Sequence, residues 1–144
     1  MEIDDLKRDW LNLDFDEQKF ELRADQMLDF ARAVGETAPR FTDPDDPDFQ
    51  APPTFTARFH SRRLLPDEFP RIGLPLDAGK AVMPQHPLRA GTELVGRSHL
   101  HEIYEKTGRS GRMIFLVARM ELYEGEKLAS IVDSRMVIRE KPNQ

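Results

Sequence analysis

Met113 to Tyr123 is apolar on both parities: Ile114, Leu116 and Met120 fall on one side of an extended chain, Phe115 and Val117 on the other. Successive side chains of a strand point to opposite faces, so both faces of this segment need cover. A strand of that kind belongs inside a sheet, with a helix against one face and another layer or subunit against the other. Its neighbours also read as strands. From Leu128 to Ile138 the even positions are Leu128, Ser130, Val132, Ser134, Met136 and Ile138, while Asp133, Arg135 and Arg139 take odd ones. That is period-two alternation with one buried face. Leu94 to Tyr104 is the third strand, and the runs KTGRSGR and Tyr123–Glu126 supply the turns between them. Three long antiparallel strands in a meander need something to wrap around.

The helical signal lies in the first third. Met27, Phe30, Ala31 and Val34 recur at helical spacing within Ala24–Val34, Asp25 sits in the first turn, and Gly35 stands where a left-handed residue ends a helix. Lys19 to Leu22 is a candidate short strand, and Ile3 to Leu13 a partly amphipathic preamble. Residues 36–91 hold nearly all of the prolines and read as a long irregular passage. Helices followed by strands is the α+β pattern rather than an alternating parallel one.

Composition closes off several classes of function. With no cysteine there is no disulfide framework, zinc–thiolate site or cysteine nucleophile. A net charge of −5 without a basic tail argues against nucleic-acid binding. The longest apolar run, Met113–Ala118, is far short of the roughly 20 residues that span a bilayer, and the acidic N-terminus is no secretory signal. The expectation is one cytoplasmic domain over residues 1–144, with no membrane partner.

The helix ending FARAVGE, then APPTF, then HPLRAG, then YEKTGRSGRMIFL and a closing strand, in this order, resemble the N-terminal domain of the MaoC-like dehydratases. The resemblance covers about residues 18–139 as the core, leaving 1–17 as the preamble. It implies a single hot-dog fold, a curved antiparallel sheet wrapped around a central helix, whose copies join sheet edge to sheet edge. It also implies an acyl thioester of coenzyme A or acyl carrier protein as ligand, and reversible hydration of a 2-enoyl bond as the reaction. No cofactor is implied.

That reaction needs a base to activate water for attack at C3, a proton delivered to C2, and donors for the thioester oxygen. Active members of the resembled family carry the motif Gly-Asp-x-Asn-Pro-x-His. Here the corresponding residues are Gly35, Glu36, Thr37, Ala38, Pro39, Arg40 and Phe41. Glu36 keeps a carboxylate one methylene out of place, and Phe41 cannot carry a proton. The residue matching the oxyanion-donor glycine is Pro53, which has no N–H, although the Thr54 N–H is a substitute at the start of a helix. Phe55, Arg58 and Arg62 complete the candidate substrate-binding set, the two arginines one helical turn apart and suited to phosphates or an acidic carrier protein.

Other clusters read as structural. Asp43, Asp45, Asp46 and Asp48 lack the glycine and the terminal glutamate of a calcium loop. His99 and His101 share a strand face as a metal pair would, but no third ligand is evident, and no metal is expected. His60 and His86 stand alone.

These readings converge on a non-catalytic, acyl-pocket-forming subunit of a heteromeric enoyl-thioester hydratase, paired with a catalytic MaoC-like chain. Two alternatives stay open: a homodimeric thioester-binding or scaffold protein, and a hydratase that uses Glu36. Phe55 and Phe59 are expected against the concave face. Phe115 and Val117 are expected beneath another subunit or the segment around Trp10, in a protein that is at least a dimer.

Overall fold

The computed structural model describes residues 1–140. In chain order it contains α1 (Ile3–Trp10), β1 (Asp14–Glu21), α2 (Ala24–Ala33), α3 (Pro39–Thr42), a one-turn 3-10 helix (Phe55–Arg58), β2 (Pro75–Pro84), β3 (Glu93–Gly108), β4 (Gly111–Glu124) and β5 (Lys127–Arg139). The strands form one antiparallel sheet in the order β1-β3-β4-β5-β2. The doubly apolar segment is therefore the central strand, and the three expected strands are contiguous and antiparallel.

Register sorts the side chains between the two faces. Ile114, Leu116, Ala118, Met120 and Leu122 of β4 stand opposite Ile138, Met136, Ser134, Val132 and Ser130 of β5. Leu100, Ser98 and Gly96 of β3 continue the rows that pass through Ala118, Met120 and Leu122. This is the concave face, and two apolar clusters occupy its two ends.

The first cluster gathers Phe55 and Phe59 against Leu94, Met120, Leu122 and Val132, with Met27 of α2 above them. Aromatic contacts tie it to its neighbours. Phe20 of β1 stacks on Phe59 with ring centroids 4.5 Å apart, and Phe30 meets Phe55 edge-on at 5.5 Å. Gly96 makes the first stack possible, because a Cβ there would lie 2.8 Å from the Met120 sulfur and 3.0 Å from the Phe20 ring. The second cluster sets Leu6 and Phe69 against Leu100, Ile114, Leu116 and Met136. Trp10 packs edge-on against Phe69 at 5.5 Å.

Four expectations are corrected. The 1–17 preamble is integral: Leu6 is fully buried in the second cluster, and β1 begins at Asp14 rather than Lys19. The Trp10 segment covers the concave face, so it is not the cover for Phe115 and Val117. The irregular passage contains β2, an edge strand paired with β5. Prolines at both ends and a bulge between Asp77 and Gly79 hid its alternation, and such residues are tolerated at an edge. The helix expected from APPTF is only one 3-10 turn. Beyond it, Phe59–Leu74 contains no helix or strand, consistent with its Pro66 and Pro70 and the paired arginines.

Among the described residues no helix is long and apolar enough to cross a membrane.

Candidate functional site

The shortened turn leaves the middle of the concave face unfilled. Between the two clusters the floor is made of Ser98, Ala118 and Ser134 with the flanks of Met120 and Val132, and the strap Phe59–Leu64 passes overhead. The cavity, open to solvent on one side, is about 290 Å³. Small side chains on the floor and the absence of a helical roof have the same effect: they leave room. Ser98 is 2% exposed and its Oγ has no hydrogen-bond partner. Nearby, the buried hydroxyls of Thr56 on the 3-10 turn and Ser130 on β5 satisfy each other across 3.1 Å.

Two edges frame the cavity. On the β2 side Lys80, opposite Ser134 in the ladder, donates from Nζ to the Ala57 carbonyl at 2.8 Å and lies 2.9 Å from His60 Nδ1. Burial holds the Lys80 ammonium below the usual lysine range, against a small opposing pull from Asp77. Burial, and secondarily Lys80, lowers His60. His60 therefore stays neutral near pH 7 and can accept the lysine's proton donation. On the β1 side the Arg62 N–H donates to Asp16 Oδ2 at 3.2 Å, and its guanidinium donates to the Glu17 carbonyl at 3.2 Å.

The residues nominated from the sequence are dispersed. Glu36 is fixed by the end of α2: Gly35, at φ +76°, donates its N–H to the Arg32 carbonyl, and Glu36 donates its own to Ala31 at 2.9 Å. This is the Schellman closure that a C-terminal glycine permits. Glu36 is half-buried and does not line the concave cavity. Phe41 is 5% exposed in α3, with the Arg40 guanidinium 4.6 Å above its ring. Pro53 faces a separate shallow pocket beside Pro84 and Leu88. Thr54 precedes a single 3-10 turn and makes no side-chain cap, so it lacks the helix dipole that the sequence reading assigned to it. Phe55 is buried in the first cluster, and Arg58 lies over its ring at 5.1 Å. Arg58 and Arg62 do not share a helix, since the turn ends at Arg58. Only Arg62 of this set lines the cavity.

Lys80, Ser98 and Ser134 escaped sequence reasoning. The available signal was two serines on the apolar parity of long strands, which marks a polar spot on a buried face.

The convex face carries a different cluster. Arg119 forks onto Asp133 through two bonds of 2.9 and 3.0 Å. His99 Nε2 lies 3.1 Å from His101 Nδ1, and its Nδ1 is 3.7 Å from Glu121. Burial lowers the His99 pKa, outweighing the opposing pull of Glu121. A bulge between Leu100 and Glu102 brings the two rings together. Among the described residues no three metal-ligating side chains gather, here or elsewhere.

Several solved structures share this architecture. A MaoC-like dehydratase from Rhodospirillum rubrum superposes with a TM-score of 0.69 at 16% identity, covering 96% of this chain and 98% of the other. A C-terminally truncated HadBC (3R-hydroxyacyl-ACP dehydratase) complex from Mycobacterium tuberculosis gives 0.68 at 20% identity, with 92% and 99% covered. The ChsH1-ChsH2 complex from the same organism gives 0.67 at 13%, with 99% and 91% covered. These likenesses establish the fold. No curated protein matches the sequence significantly. The family model described as "FAS1-like, dehydratase domain region" matches residues 10–131, most of the chain, and the chain belongs to that family as a MaoC-like hot-dog domain.

Proposed function

We propose that this chain is the non-catalytic subunit of a heteromeric MaoC-like enoyl-thioester hydratase, and that it provides the pocket for the acyl chain. The observation that carries the proposal is the cavity of about 290 Å³ where the turn at Phe55–Arg58 stops short. A chain that keeps its own active site needs a base and a proton carrier close to the acyl thioester. Here the position of the proton carrier holds Phe41, packed inside, and Glu36 lies away from the cavity.

The division of labour follows from chemistry. The partner supplies the base that activates water for attack at C3 and the group that delivers a proton to C2. This chain holds the tail of the acyl group against Met120, Val132 and Phe59, excluding water from the apolar stretch. Arg62, which lines the cavity, places positive charge where the anionic thioester carrier, coenzyme A or acyl carrier protein, would lie. The sheet is open at β1 and β2, and Leu74 and Leu76 are exposed beside the β2 edge, giving a surface for the partner's sheet to join.

Turnover separates this reading from its rivals. The isolated chain should hydrate enoyl-CoA no faster than buffer, and mixing with a catalytic MaoC-like partner should give activity that this chain alone lacks. Turnover by the isolated chain that disappears in Glu36→Gln would instead identify Glu36 as a working base. Thioester binding without activity in any mixture would leave a homodimeric binding protein.

A further inference from the structure

We infer that Lys80 is a covalent acceptor, whose amine takes the acyl group of a coenzyme A thioester while His60 receives the proton. The inference rests on the reading above for the thioester as ligand class, and on neither the cavity nor a partner subunit.

Two fixed acceptors orient the amine. Lys80 Nζ donates to the Ala57 carbonyl at 2.8 Å and to His60 Nδ1 at 2.9 Å. An ammonium has no acceptor capacity, so Nδ1 is the accepting nitrogen and the imidazole carries its hydrogen on Nε2. Both partners are neutral. A free amine has two N–H bonds and one lone pair, so these two acceptors hold both hydrogens and leave the lone pair directed outward. Lys80 is exposed, and a reagent can therefore approach it. Partial burial of the end group favours the free amine, and the pull of Asp77 is too weak to reverse that. Other lysines are placed differently. Lys19 ends 3.9 Å from Glu93, and Lys106 lies over the Phe115 ring, contacts that suit an ammonium.

The chemistry is acyl transfer from sulfur to nitrogen. The free amine attacks the thioester carbonyl carbon and forms the C–N bond. As the tetrahedral adduct collapses the C–S bond breaks, and the sulfur leaves as the coenzyme A thiolate. The proton lost by the nitrogen passes to His60 Nδ1 and from there to the thiolate. The products are an Nζ-acyl amide and free coenzyme A, with no change of oxidation state. The amide keeps one N–H, so one of the two bonds that tie Ala57 and His60 to β2 is given up.

The test incubates the full chain with acetyl-CoA, whose acyl group is too short to need the cavity, and follows acetylation of each lysine by peptide mass spectrometry. Lys80 should react about tenfold faster near neutral pH than the exposed Lys7 and Lys127, because more of it is free amine. Its rate should also level off at a lower pH than theirs. His60→Gln, whose amide accepts a hydrogen bond but not a proton, should bring Lys80 down to the rate of those two while melting as the parent does. A Lys80 rate equal to that of Lys7 and Lys127, or a preference that survives His60→Gln, overturns the inference. Binding of decanoyl-CoA to Lys80→Arg, which cannot be acylated, reads the acyl pocket separately. Binding there with no selective acetylation of the parent refutes the acceptor role alone, whereas selective acetylation without that binding refutes the pocket alone.

Discussion

Both faces of β4 carry apolar side chains, the concave one throughout and the convex one at Phe115 and Val117, and they are covered in opposite ways. On the concave side, Ile114, Leu116, Met120 and Leu122 are buried by segments distant in the chain: α1, α2 and the Phe55 turn. On the convex side the cover is lateral. Phe115 stacks on Tyr104 of β3 with centroids 5.0 Å apart and planes 4° from parallel. Val117, 6% exposed, lies among its strand neighbours, and Arg119 is held by Asp133. Within this chain, the cover over Phe115 and Val117 comes from flat and forked side chains on adjacent strands rather than from a second layer. The concave face has no such option, and where its long-range cover ends a cavity opens.

The comparison predicts unequal costs. Phe55→Ala should destabilise the protein by about 3–5 kcal/mol, because it removes a fully buried ring that touches both Phe30 and Phe59. Chemical denaturation would measure it. Phe115→Ala, which removes a half-covered stacked ring, should cost only about 1 kcal/mol. A cost equal to that of Phe55→Ala, combined with a midpoint that rises with protein concentration, would mean that another subunit covers the convex face after all.

Asp133→Ala should cost about 2–3 kcal/mol, since it strands a partly buried guanidinium. The double replacement Arg119→Leu with Asp133→Leu should recover most of that loss, because the pair itself adds little beyond a matched apolar pair. Failure to recover would show that the fork does more than fill the face.

Acid should have the smallest effect. His99 is lowered below about 6.5, its unfolded value, chiefly by burial. Below that value the unfolded chain therefore binds more protons at this site than the folded one. Its contribution is complete above about pH 7 and declines as the pH falls through the window under 6.5. Glu121 opposes the shift, while His101 and Arg119 reinforce it. His99→Gln should flatten this part of the stability profile, and an unchanged profile would remove His99 as its source.

What could be read beforehand follows from how local each signal was. β3, β4 and β5 were legible because alternation over ten residues or more is a local pattern, and α2 because its spacing and Gly35 agree. β2 was not, since Asp77, Gly79, Lys80 and the terminal prolines obey the needs of an exposed edge rather than an alternating core. The role of Leu6 depended on a contact with strands about a hundred residues away. That Phe41 cannot carry a proton could be read in one line of sequence. The cavity could not, because it arises from an element that stops early and from three small side chains, on three strands, that only register brings together.

The central claim, that this chain supplies the acyl wall, is tested most directly by filling the cavity floor. Ala118→Leu in the chain reconstituted with its catalytic partner should leave hydration of crotonyl-CoA unchanged and lower kcat/KM for decenoyl-CoA by about tenfold or more, the tail having lost its space. An equal loss for both substrates, or no loss for either, would contradict the claim.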